Sequence, residues 1–281
     1  MTPQLSRKPT TVAFIGAGNM ARSLIVGMLQ EAGNLQIRVS DLDQNQLDVI
    51  RSYGSQIFTS TDNAATLQGA DVVVLAVKPQ VMRTVIEPLQ DLAQKQRPVF
   101  VSVAAGIREA SLNAWLGGNL PIVRCMPNTP ALVKAGATGL YANPQVSKEQ
   151  RSLAESILRT VGITLWFEDE AKLDAVTAVS GSGPAYFFLV MEAMQAAAES
   201  LGLKPDDAQL LVVQTALGAA RLALESDQKP ADLRKQVTSK GGTTEAALNK
   251  LNTGGLVPLF AEALQAAEQR SKELAAAAAN S

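Results

Sequence analysis

The feature that most constrains this chain is a glycine turn set between an apolar run and a helical pattern near its start. Thr10 to Ile15 reads as a strand and Gly16 begins a turn. Ala21, Leu24, Ile25, Met28 and Leu29 then recur at helical spacing, with Gly33 placed to close the helix. Gly16, Gly18 and Ala21 fit the pattern G-x-G-x-x-G/A in the order strand, turn, helix. In such a turn the first glycine permits the tight reversal, the second leaves space for a pyrophosphate beside the backbone, and the small third residue lets the helix lie close to the sheet. The unpaired N–H groups of the first helical turn, where Asn19 and Met20 stand, then face the phosphates. A glycine turn with no ligand has the same local pattern, so its meaning depends on the strands and helices around it.

Beyond this helix, short strands alternate with helical stretches. Ile37 to Ser40, Gln56 to Phe58, Asp71 to Val77, Pro98 to Ala104, Ile122 to Met126 and Thr138 to Tyr141 read as strands, and several are nearly continuous in apolar residues. Continuous apolar strands are those buried on both faces of a parallel sheet. The alternation implies βαβ units and a layered α/β domain of the Rossmann type, expected over residues 1–167.

After Phe167 no convincing strand remains. Helical patterns run over Pro184–Leu201, Pro205–Glu225 and Leu256–Leu274, with Pro184 and Pro205 suited to first helical turns and Gly202 to a C-cap. In LLVVQTALGAARLAL the apolar residues cover more than one face, so this helix should be buried nearly all round. A second copy of the chain is the simplest cover, and residues 168–281 are expected to form an all-helical dimerisation domain.

Composition limits the chemistry. The 281 residues include one cysteine, Cys125, and no histidine. Ser-His-Asp and Cys-His catalysis are therefore excluded, and no metal site is expected. Hydride transfer suits such a chain, because the cofactor supplies the reactive group. With 25 basic and 26 acidic residues and no basic arm, no nucleic-acid partner is expected. The apolar runs look too short to cross a bilayer and no secretory pattern precedes Thr10, so a cytoplasmic location is the expectation.

Other residues have two readings. Asp41, 25 positions after Gly16, can accept the ribose hydroxyls of NAD and repel the 2′-phosphate of NADP, or can cap a helix starting near Asp43. Ser40 is adjacent. Asn63 either approaches the adenosine or caps a short helix. Lys78 ends a buried strand, where ligands collect, or is simply solvated. Pro127, Asn128, Thr129 and Pro130 make a rigid polar loop, a place for a nicotinamide or a plain turn. SGSGPAY, with Gly181 and Gly183, is a junction or a packing bend. In VTSKGGTTEAALNKL, Gly241, Gly242, Thr243 and Thr244 precede a helix, an arrangement that holds a carboxylate or only caps the helix.

Taken together, FIGAGNMA, LAVKPQ, RCMPNTPALVKAGATGLY, SGSGPAYFFLVMEAM and VTSKGGTTEAALNKL resemble the pyrroline-5-carboxylate reductase family, in order and spacing, from about Thr11 to about Leu274. The resemblance implies reduction of L-1-pyrroline-5-carboxylate to L-proline with NADPH or NADH, the last step of proline biosynthesis, by homodimers that sometimes assemble into decamers. It implies a cofactor site drawn from Gly16, Gly18, Asn19, Met20, Ser40, Asp41, Asn63, Ala76, Val77, Lys78, Pro79, Met126 and Asn128. It places the substrate carboxylate at Ser239, Gly241, Gly242 and Thr243, and the Thr244 hydroxyl at the ring nitrogen. Asp227 stands where some members carry a catalytic-site glutamate. Asp41 departs from the Asn-Arg pair of some NADPH-using members, which leaves NADH and NADPH both open. A β-hydroxyacid dehydrogenase is a rival, but its catalytic lysine has no counterpart between Lys172 and Lys204. A non-catalytic cofactor-binding regulator is the other.

Overall fold

The computed structural model describes residues 9–31 and 34–279, so the helix end expected at Gly33 lies outside the described residues. Two compact units form, one from Met1–Ser182 with Ala267–Ser281 and one from Gly183–Ala266. The first thus extends past Phe167, where the composition changes. Its extra residues belong there because Leu173, Asp174 and Ala178 are buried in it.

The first unit alternates β1 (Thr10–Ile15), α1 (Asn19–Gln30), β2 (Leu35–Ser40), α2 (Gln44–Arg51), β3 (Ile57–Ser60), α3 (Asn63–Leu67) and β4 (Val72–Leu75). It continues with α4 (Met82–Ile86), α5 (Gln90–Gln96), β5 (Val99–Ser102), α6 (Glu109–Trp115), β6 (Ile122–Met126), β7 (Gly136–Ala142), α7 (Lys148–Arg159), β8 (Gly162–Trp166) and α8 (Lys172–Val176). The eight strands form one sheet in the order β3-β2-β1-β4-β5-β6-β7-β8. Neighbours are parallel except β6 and β7, which are antiparallel. The order reverses between β1 and β4, the point where ligands bind in open α/β sheets.

Alternation along the central strands sends side chains to two cores. Val12, Phe14, Val72 and Val74 meet Leu24 and Ile25 of α1 and Ile157 of α7 on one face. Ala13, Ile15, Val73 and Leu75 meet Met82 of α4, Ala93 of α5 and Leu112 of α6 on the other. Strands buried on both faces explain the unbroken apolar runs. The sequence pattern does not predict β8. It is a five-residue edge strand with Ile163 and Leu165 exposed, so it lacks that signature.

A buried ionic clip holds the last turns of the chain to this unit. The Asp174 carboxylate accepts from Arg108 Nη2 at 2.5 Å and from Ser271 Oγ at 2.8 Å. Asp174 and Ser271 are nearly inaccessible, so both carboxylate oxygens depend on these partners.

The second unit holds α9 (Gly183–Ser200), α10 (Pro205–Glu225), α11 (Pro230–Gln236), α12 (Thr243–Thr253) and the first turns of α13 (Leu256–Ala279), whose residues from Ala267 belong to the first unit. Gly202, at φ +96°, ends α9, and the Leu203 N–H returns to the Ala198 carbonyl as in a Schellman turn. α11 is polar and buries no residue, which is why no apolar stripe announces it. Many large apolar side chains of this unit are exposed, among them Phe187, Phe188, Leu210 and Leu224.

The expectation about apolar length is corrected here. Among the described residues, the helical run Lys172–Ser200 is long and apolar enough, by length and composition alone, to cross a membrane, with a window of mean hydropathy 1.2. The sequence looks interrupted at Ser180–Pro184, and there α8 is followed by a π-helical turn, Thr177–Gly181, and a bend at Ser182 before α9 begins at Gly183.

Candidate functional site

The first unit carries a cleft of about 740 Å³ at the carboxyl ends of β1, β2 and β4. Gly16, Gly18, Asn19, Ser40, Asp41, Asn63, Ala76, Val77 and Lys78 line it, as the sequence leads one to expect. The two glycines of the turn are glycine for different reasons. Gly16 has φ +104°, and a Cβ there would stand 2.6 Å from the Ala76 carbonyl oxygen, so the fold itself demands it. A Cβ at Gly18 would meet nothing within 4 Å, and its φ of −68° suits any residue. The fold itself therefore does not need glycine at position 18, which opens onto the cleft.

Asp41 does not cap α2. Asp43 does, accepting from the Asn45 N–H. Asp41 instead braces the turn: Oδ2 accepts from the Ala17 N–H at 2.7 Å and Oδ1 from the Asp43 N–H at 2.9 Å. Each oxygen keeps a lone pair for a ribose hydroxyl. Asn63 opens α3, but Asp62 is the residue whose carboxylate caps it. The cleft is also lined by Leu42, Asp43, Gln46, Val81, Thr84 and Val85, which the sequence does not single out. Gln46 accepts a hydrogen bond from Arg22 of α1, a link across 24 residues that no local motif signals.

Four of the candidate cofactor residues lie elsewhere. Met20, in the first turn of α1, packs against the core. Pro79 lines a separate cavity of about 450 Å³ bounded by Trp115 and Leu274. Met126 and Asn128 follow the sheet to the end of β6. There the Asn128 side chain bridges two segments, accepting from the Ala137 N–H at 2.9 Å and donating to the Ser180 carbonyl at 3.0 Å.

In the second unit, Ser239, Gly241, Gly242, Thr243 and Thr244 are brought together in the turn that opens α12. Gly241 has φ +74°, so the turn favours glycine there, and Gly242 packs closely on Ser239, whose hydroxyl would stand 2.4 Å from a Cβ at that position. Gly242 is the N-cap and has no side-chain cap, which leaves first-turn N–H groups for an anion. The Gly241 N–H is taken by Glu245 Oε2 at 2.7 Å. Asp227 lies in the exposed loop between α10 and α11. Among the described residues no group of three or more His, Cys, Asp or Glu side chains is placed to hold a metal. Burial pushes the Cys125 thiol well above its usual range, so it stays protonated.

Curated relatives decide the family. A pyrroline-5-carboxylate reductase of Pseudomonas aeruginosa is 54% identical over 266 residues, 94% of this chain and 96% of that protein. The chain belongs to the pyrroline-5-carboxylate reductase family. Another reductase of this family, from Haemophilus influenzae, is 42% identical over 94% of the chain and 97% of its own length. The family profile described as pyrroline-5-carboxylate reductase dimerisation matches residues 170–274, so the helical half is a dimerisation domain. A profile described as NADP oxidoreductase, coenzyme F420-dependent, matches residues 11–106, the stretch that builds the cleft.

Solved structures of reductases in this family agree with the fold. One from Coxiella burnetii superposes with a TM-score of 0.90 at 46% identity, covering 95% of this chain and 99% of that one. A pyrroline carboxylate reductase from Plasmodium falciparum, solved with NADP bound, gives 0.82 at 25% identity, covering 95% and 98%.

Proposed function

We propose that this chain reduces L-1-pyrroline-5-carboxylate to L-proline with NAD(P)H, the last step of proline biosynthesis. The observation that carries the reading is Gly18: a glycine with ordinary backbone angles, open to a cleft, in a chain of this family. In this reading residues 1–167 hold the cofactor and residues 168–281 bind substrate and dimerise.

Gly16 and Gly18 shape the pyrophosphate turn, and the α1 N–H groups beside Asn19 face its oxygens. A reduced nicotinamide supplies the hydride. Asp41 takes the adenosine ribose hydroxyls. With Asp43 it sets two carboxylates where a 2′-phosphate would lie, so NADH is favoured over NADPH while both serve. Ser239, Gly241, Gly242 and Thr243 hold the substrate carboxylate, and Asp227 adds a negative charge near the site. The hydride goes to the C=N carbon and a proton to the ring nitrogen. Thr244 orients that nitrogen through its hydroxyl rather than acting as a strong acid, and solvent completes the protonation. Orientation of two bound reactants replaces ionisable catalysis here.

The substrate is a small cyclic imine acid, the enzyme works in the cytoplasm, and the near balance of 25 basic and 26 acidic residues fits a protein with no nucleic-acid or membrane partner. The homodimer is the working unit, and decamers are a further level of assembly. The test is loss of reduced-nicotinamide absorbance with the imine, run in parallel with NADH and NADPH. Imine-dependent oxidation, faster with NADH, supports the reading; oxidation indifferent to the imine ends it. Thr244→Ala should lower kcat/KM for the imine by about 10–100-fold, the cost of one hydrogen bond to a group gaining charge. Unchanged kinetics would remove Thr244 from the site.

A further inference from the structure

Arg22 is a cation without a carboxylate. It stands on α1 one turn after Gly18, its backbone N–H donating to the Gly18 carbonyl at 3.0 Å. The side chain is half-buried, and Nη2 donates to Gln46 Oε1 in the first turn of α2. Nε is buried and meets no acceptor among the described residues. Among those residues Arg22 makes no ion pair. A guanidinium carries five N–H donors and a fixed charge. Shielding part of it from water beside one neutral acceptor leaves both charge and donors uncompensated, which costs stability until an anion arrives.

The position says which anion would serve. Gln46 lines the cleft beside Asp41, Leu42 and Asp43, so the Arg22 guanidinium lies one hydrogen bond behind that wall. The other cations of β2 and α2 are engaged. Arg38 donates to the Gln68 carbonyl and to Gln36, and Arg51 pairs with Asp48 at 3.0 Å and donates to Thr59. Lys78 lines the cleft from the end of β4, which β1 separates from β2. An arginine near the adenosine ribose accommodates a 2′-phosphate, and the guanidinium fork meets phosphate oxygens two at a time. Asp41 and Asp43 repel the same phosphate, so cofactor choice there sets one cation against two carboxylates.

We propose that Arg22 is the specificity-determining residue that admits NADPH to this cleft. It supplies the positive charge for the 2′-phosphate, and Gln46 holds the guanidinium when that phosphate is absent. NADH, which lacks the phosphate, makes no use of it. This rests on the dinucleotide reading of the cleft and adds to it the residue that decides between the two cofactors.

Calorimetry on the full-length protein tests this without turnover. The probes are NADPH, NADH, adenosine 2′,5′-bisphosphate and adenosine 5′-monophosphate. Arg22→Gln removes the charge and should raise the Kd of NADPH and of the bisphosphate about tenfold or more, leaving NADH and the monophosphate within about twofold. Arg22→Lys keeps a cation without the fork and should fall between parent and Arg22→Gln. Salt should weaken NADPH more than NADH in the parent, and that excess should shrink in Arg22→Gln. The criterion in each variant is the ratio of the NADPH and NADH Kd values, which does not change with the fraction of folded protein. An unchanged ratio would overturn the proposal. Equal losses for both cofactors would do the same and mark Arg22 as a brace for the glycine turn. A parent protein that binds neither dinucleotide would instead end the cofactor reading of the cleft, before either variant is consulted.

Discussion

Gly18→Val should raise the Kd for NADH and NADPH about 100-fold or more while leaving the melting temperature almost unchanged, about 2.7 kcal/mol taken from binding and little from folding. The separation follows from the geometry. A Cβ at position 18 meets no protein atom, and the local φ of −68° is open to any residue. The branched side chain therefore projects into the cleft and occupies the space that the pyrophosphate needs. Gly16 makes the contrast. Its φ of +104° and the Ala76 oxygen 2.6 Å from any Cβ mean that Gly16→Val should lower stability instead. Titration calorimetry and thermal melts on both variants give the comparison. Equal affinity in Gly18→Val would show that no dinucleotide lies against that turn.

Leu217→Glu should convert the dimer to monomers at micromolar concentration. On α10, Ala208 and Val212 face inward within the second unit. Leu210, Leu217 and Leu224 follow at intervals of seven, so they share another face, and they are 70%, 50% and 81% exposed. Three leucines in line are not left to water by a stable domain, and the dimerisation profile spans all of them. Burying one such side chain contributes about 1.5–3 kcal/mol, and an unpaired glutamate in the same place costs several more. Light scattering behind a sizing column should show the mass halved. A dimer of parental affinity would place the interface on another face.

How much of this is legible in the residues depends on the range of the interaction. β4 and β5 are written locally, as short apolar runs, Val72–Leu75 and Val99–Val101, that need both faces covered. β1 and β6 span the residues read as strands in the sequence, Thr10–Ile15 and Ile122–Met126. The glycine turn is equally local, so Gly16 and Gly18 can be named in advance, whereas Leu42, Asp43 and Gln46 of the same cleft cannot. β8 cannot, because an edge strand with one face open has no continuous apolar run. The antiparallel direction of β7 depends on its pairing with β6, a long-range choice with no residue code. The bracing of Ala17 by Asp41, the Arg22–Gln46 link and the Asn128–Ser180 bond join residues 24 to 52 positions apart. Each pairs ordinary polar residues whose meeting is decided by the fold.

The segment between α8 and α9 is legible in part. Ser180, Gly181, Ser182, Gly183 and Pro184 read as a break, since glycine and proline are poor in helix interiors. A bend at Ser182 and the start of α9 at Gly183 agree with that, while the π-helical turn Thr177–Gly181 ahead of them has no residue code.

The central claim is that hydride passes directly from nicotinamide C4 to the imine carbon, with no ionisable residue as intermediary. Incubating the enzyme with the imine and NADH doubly deuterated at C4, then weighing the product by mass spectrometry, tests it most directly. Direct transfer gives proline carrying one deuterium, on the ring carbon that was double-bonded to nitrogen. Proline formed without deuterium, or no proline at all from a folded dimer, would contradict it.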